Sequence, residues 1–193
     1  MREADVKRGL LKYLQDQREL ENDAVSVEEI CLGEGRTRAD LVVVGERLLG
    51  FEIKSPKDNL ARLPRQLEDY RTVFDEVTLV IGLKHLTGIL NEVPSWCGVL
   101  LASRAGDVVT VEKFRPARVN LHRDRYALAQ LLWRDEARAI LKKYECGRGV
   151  LSKPRPQMWR RLADSLSTPQ LAFELRLALK ARGRTWRRDP RDG

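Results

Sequence analysis

The 193-residue sequence contains no run of about 18 uninterrupted apolar residues, the length a membrane-crossing helix requires. Its opening residues, Met1-Arg2-Glu3-Ala4-Asp5, lack the apolar stretch of a secretory signal. A soluble, cytoplasmic protein without a membrane partner is expected. Cysteine is scarce: Cys31, Cys97 and Cys146 lie far apart, form no Cys-x-x-Cys pair and are odd in number, which argues against a disulfide framework. They read as reduced, mostly buried thiols. Histidine is scarcer still, with His85 and His122 near neither each other nor a cysteine, so a zinc site has no ligand cluster. Any metal must be held by oxygen.

What is present suits a folded core. Hydrophobic residues make up 42% of the chain, enough for one compact domain, or for one domain with a helical appendage. The formal net charge is +8, unevenly spread. Residues 1–114 carry 16 Lys/Arg against 20 Asp/Glu, a balance of −4, whereas residues 115–193 carry 20 against 8, a balance of +12. This divides the chain into a core domain, 1–114, and a basic helical C-terminal extension, 115–193. A basic third fits a polyanion, because Lys and Arg that neutralise phosphates release condensed counterions. A solvated basic face is the alternative.

Hydrophobic periodicity predicts the elements. Val6, Leu10, Tyr13 and Leu14 recur at helical spacing over residues 3–20. Six short, β-branched-rich runs follow, at 25–32, 38–44, 47–54, 76–82, 97–103 and 107–113, and read as strands. Between the third and fourth, Leu60, Leu63, Leu67, Tyr70, Val73 and Phe74 mark a helix over 60–74. Pro64 predicts a short first turn and a fresh start, or a kink. Downstream, one long helix is expected over 123–145, then two more over 155–166 and 169–182. That last pair is compatible with a DNA-reading helix-turn-helix, although most such pairs are plain hairpins.

One hairpin concentrates the chemistry. The two-residue side-chain period of a strand puts Glu52 and Lys54 on one face and Ile53 on the other. Turn length decides whether Asp40 joins them. A two-residue turn at Gly45-Glu46 would oppose Asp40 to Phe51, whereas a three-residue turn through Arg47 pairs Val44 with Leu48 and Asp40 with Glu52. The second register gathers Leu41, Val43, Leu49, Phe51 and Ile53 on one apolar face, so it is preferred. Two opposed carboxylates repel unless a cation lies between them, and Mg²⁺ commonly uses one or two carboxylates with water and phosphate. Lys54 beside such an ion would orient or deprotonate water, or stabilise charge on phosphorus.

Arg38-Ala39-Asp40 followed by Phe51-Glu52-Ile53-Lys54-Ser55 resembles the D…(D/E)-x-K signature of PD-(D/E)XK nucleases, and Gln66-Leu67-Glu68-Asp69-Tyr70 resembles the Q-x-x-x-Y motif of their RecB-like branch. The likeness covers roughly residues 1–82; Ala39 stands where the signature has Pro. The resemblance implies a restriction-endonuclease-like αβββαβ core with a mixed central sheet, in an α/β fold. It implies a Mg²⁺- or Mn²⁺-dependent nuclease acting on DNA more than RNA. Asp40, Glu52 and the Ile53 backbone carbonyl would be ligands, Lys54 the catalytic lysine and Gln66 a further catalytic residue.

Around this set, Glu29 is a further candidate ligand, since its alternation with Val25 and Val27 places it at the end of a buried face. Glu3 and Glu28 read as solvated charges. Arg38, Arg62 and Tyr70 are candidates for contact with nucleic acid, and a local salt bridge explains Arg62 and Asp58 equally well. Tyr70 on an apolar stripe is also an ordinary core residue. A second hypothesis keeps the scaffold as a nucleic-acid-binding module that does not cut. A homodimer is left open.

Overall fold

A computed structural model of the chain describes residues 2–17, 23–54, 58 and 60–182. Six strands form a single mixed sheet whose spatial order is the chain order: β1 (Val25–Leu32), β2 (Thr37–Val44), β3 (Leu48–Lys54), β4 (Glu76–Gly82), β5 (Gly98–Ala105) and β6 (Val108–Arg115). The first three pair antiparallel, β3, β4 and β5 run parallel, and β6 returns antiparallel. The fold is therefore α/β. The parallel steps require crossovers, which α2 (Leu63–Arg71) and α3 (Leu86–Glu92) supply.

Each face of the sheet is covered. On one, α1 (Glu3–Asp16) lays Val6, Leu10 and Leu14 against Leu41, Val43, Leu49, Phe51 and Ile53. On the other, α2 and α3 pack over the sheet together with the C-terminal helices α4 (Arg125–Gln130), α5 (Arg134–Lys143), α6 (Arg155–Ser165) and α7 (Thr168–Arg182). One apolar cluster runs without interruption from Val42, Leu79 and Val99 through Leu67 and Phe74 to Leu162, Leu175 and Leu179. Gly50 has a role here. A side chain at that strand position would collide with the Phe74 ring.

The β2–β3 turn has three residues: Val44 pairs with Leu48, and the Gly45 N–H donates to the Arg47 carbonyl at 3.0 Å. The hydrophobic pattern thus chooses the register as expected. The Pro64 region behaves as a short 3-10 turn, Leu60–Arg62, then a new helix with proline in its first turn, where no N–H is missed.

Three expectations need correction. The single helix over 123–145 is two, α4 and α5, interrupted at Leu131-Leu132-Trp133. These residues continue the apolar pattern but turn the chain so that α5 can begin, with the Trp133 N–H donating to Glu136 at 2.7 Å. Helix α3 was not foreseen, because Gly88 and only seven residues give a weak helical signal. Of the three thiols only Cys97 is buried, and Cys31 is exposed. Among the described residues no helix is long and apolar enough to cross a membrane.

Candidate functional site

Strand ends and one helix face converge on Glu52, which is buried at 2% exposure. An isolated carboxylate there would be costly, and three donors answer it. Lys54 Nζ donates to Glu52 Oε1 at 2.6 Å and Gln66 Nε2 to the same oxygen at 2.7 Å. The Tyr70 hydroxyl donates to the other oxygen and lies 3.1 Å from the Arg38 carbonyl. Lys54 also donates to Gln66 Oε1 at 2.9 Å, closing a ring of polar contacts. Gln66 and Tyr70 are one helical turn apart on α2, so one face of that helix delivers both. Burial beside Glu52 pushes the Tyr70 phenol far above its ordinary value.

Asp40 lies where the β2–β3 ladder ends, beyond the Leu41–Phe51 pair, and its carboxylate takes the Ile53 N–H at 2.7 Å. Desolvation first, then the Glu52 charge, push Asp40 up from 3.8 to about 7. Near neutral pH this carboxyl is therefore divided between protonated and ionised forms.

Asp40, Glu52, Ile53, Lys54 and Gln66 line one cavity of about 700 Å³. Arg38 and Arg62 also line it, whereas Tyr70 stands behind Glu52. Glu29 is not brought to this cavity. Its backbone adopts a positive φ of 60°, which shifts the alternation of β1 between Val27 and Ile30 and turns Glu29 toward Arg38 at 3.7 Å, in a neighbouring cavity. Among the charged lining residues, Glu3, Arg36 and Arg65 escaped the sequence reading as site members. Arg65 had a signal, since it falls three residues after Arg62 on the helix that carries Gln66. Glu3 opens α1, whose apolar stripe sits on the sheet face beside Asp40.

The donor set limits what metal could be held. Both Glu52 oxygens already serve internal donors, and among the described residues no group of three or more His, Cys, Asp or Glu can hold an ion. Asp40 and Glu52 together fit at most a largely hydrated Mg²⁺ or Mn²⁺ that a phosphate oxygen would help to coordinate.

The fold and site define an α/β protein with a mixed six-stranded sheet and a carboxylate-lysine cluster at one end of it. The chain belongs to the bacteriophage P4 protein cII family, whose model matches residues 1–187. It is similar to Protein cII of Enterobacteria phage P4, 29% identical over 144 residues, which cover 75% of this chain and 54% of that protein. The chain thus spans about half the length of this curated relative. No solved structure gives a significant match.

This membership overturns the resemblance to PD-(D/E)XK nucleases. The family is another one, and the assignments of nuclease, hydrolase and metal-dependent phosphodiesterase fall with it. The physical reason lies in how cheaply the pattern arises. Any E-x-K on a strand shares a face, and any Q-x-x-x-Y on a helix shares another. A buried glutamate needs donors of these kinds whether or not chemistry follows.

Proposed function

We propose that the protein binds the phosphate backbone of a nucleic acid in the cavity floored by Lys54. One observation carries this reading. Arg62 and Arg65 stand exposed at the cavity beside Lys54, and neither makes an ion pair with a described residue. Nearby, Arg36, Arg38 and Arg47 meet the carboxylates of Asp69, Glu29 and Glu76, so two guanidiniums left open over a cavity suit an external anion. The overall charge of +8 favours an extended polyanion over a small one. DNA is the first partner to test, with RNA beside it, and the cytoplasm is the compartment such a partner implies.

Asp40 and Glu52 would add a shared Mg²⁺ or Mn²⁺, tying a backbone phosphate to the cluster. When bound, that ion supplies charge neutralisation between carboxylate and phosphate. Asp40 holds or releases a proton according to whether the ion is present, and Lys54 and Gln66 keep Glu52 oriented. In architecture we read α1 through β4 as a restriction-endonuclease-like core, on the αβββαβ order alone, and that likeness assigns no activity.

The test is fluorescence anisotropy of labelled DNA and RNA with the full chain across a salt series. Arg62→Ala and Arg65→Ala should each weaken binding several-fold whatever the base sequence, and each should lower the salt slope by about one. Wild-type protein that binds neither nucleic acid, or variants indistinguishable from it, would refute the reading. Calorimetry with Mg²⁺ or Mn²⁺ should find one weak site that Asp40→Asn removes.

A further inference from the structure

We propose that the binding track continues from the Lys54 cavity into a second cavity and accepts a single strand, with Trp133 as a platform for an unstacked base. The inference rests on the nucleic-acid reading above and extends it.

The second cavity, of about 670 Å³, lies between the β1–β2 turn and the α4–α5 connection. Cys31, Gly35 and Arg38 line both cavities, so the two adjoin along the hairpin. Arg38 stands at the junction, exposed and only loosely held by Glu29 at 3.7 Å, an arrangement that a backbone phosphate can replace. Gly35, at φ 88°, has nothing within 4 Å of where a side chain would project, leaving the turn bare to an approaching chain.

The two tryptophans in this cavity differ in kind. Trp159 is buried, and its indole N–H donates to the Leu132 carbonyl at 3.1 Å, so it forms wall. Trp133 is half-buried at the helix break, with the Arg182 guanidinium 4.1 Å from its ring centroid. The bond it contributes to the start of α5 comes from its backbone N–H. The Arg182 guanidinium lies over its ring, so the two planar groups form one guanidinium-on-indole stack at the wall of the cavity. Every base has a face that stacks on such a surface. Bases of a duplex are already stacked on one another and would have to be flipped out to enter, whereas those of a single strand are available.

The experiment uses the full chain, labelled oligothymidylates of about 4 to about 16 nucleotides, and a duplex of the longest length. Single strand should bind more tightly than duplex, with affinity rising until both cavities are spanned. Trp133→Leu should lose about tenfold on long strands and nothing on the shortest, which the Lys54 cavity alone can hold. Trp133→Phe should keep most of the affinity while removing the Trp133 share of the emission quenching on binding, a readout that survives if the leucine variant folds poorly. Duplex bound as tightly as single strand, or long-strand affinity unchanged in Trp133→Leu, overturns the proposal. The two failures separate cleanly: Arg62→Ala weakening binding while Trp133→Leu does not leaves the Lys54 site standing and removes only the second cavity. No binding of any polyanion removes both.

Discussion

The acidic first part of the chain and the basic last part partner their arginines differently: Arg8, Arg36, Arg38, Arg47 and Arg104 meet carboxylates in the first, whereas backbone carbonyls take many of those in the second. In the C-terminal helices many cations point inward to the fold. Arg138 donates twice to the Leu151 carbonyl, Arg161 reaches the carbonyls of Cys146 and Arg148, and Arg182 holds Glu136 and the Leu131 carbonyl. Lys143 pairs with the buried Glu174, and Arg160 lies 4.2 Å from the Tyr126 ring centroid. These side chains terminate helices and tie loops, as orphan carbonyls at helix ends require. Around the Lys54 cavity, in the half whose balance is negative, Arg62 and Arg65 remain open. Net charge per segment therefore does not show which cations the fold has already partnered.

The contrast can be broken most forcefully at Glu52. Glu52→Leu would strand Lys54, Gln66 and the Tyr70 hydroxyl and should cost about 3–5 kcal/mol in denaturant unfolding, with Glu52→Gln costing less. A loss below about 1 kcal/mol would mean the cluster is not structural. Next comes pH. Because the folded value of Asp40 stands at about 7, above its ordinary 3.8, its contribution is fully present at low pH and is lost as pH rises through 7. Unfolding free energy should thus fall by at most about 4 kcal/mol between roughly pH 4 and pH 8, a slope that Asp40→Asn flattens.

A smaller change is expected on the basic side. Arg138→Met keeps the aliphatic stem but frees the Leu151 carbonyl, and should lower stability by about 1–2 kcal/mol without altering anion affinity. Smallest of all, Arg62→Ala should shift stability by no more than about 0.5 kcal/mol while weakening anion binding. Thermal unfolding and anisotropy on the same two variants would sharpen the distinction between structural and open cations, and matching behaviour would erase it.

Much of the sheet was legible because its strands are short, β-branched-rich runs bounded by turns, although the inner ones bury apolar residues on both faces. The register of β2 on β3 followed from Leu41, Val43, Leu49, Phe51 and Ile53 needing a common side, and the same constraint carried Glu52 and Lys54 to the other. Pro64 announced its own helix start. What escaped depends on backbone geometry or distant partners. A positive φ at Glu29 reverses an alternation that the letters continue, and Leu131-Leu132-Trp133 prolong an apolar stripe across a turn. Glu3 reaches the cavity only through tertiary packing. The family was misread for a related reason: four side chains that solve one burial problem, together with Asp40, also spell a motif.

Strand order that follows chain order has a further meaning for how the molecule is made. Each strand joins the edge left by its predecessor, so every closure spans a short stretch of chain and the sheet can extend by accretion. Asp40, Glu52, Lys54, Gln66 and Tyr70 fall within this early-emerging portion. Newly synthesised chain can therefore seat the Glu52 cluster before the last two helices leave the ribosome, with later helices sealing a sheet already in place.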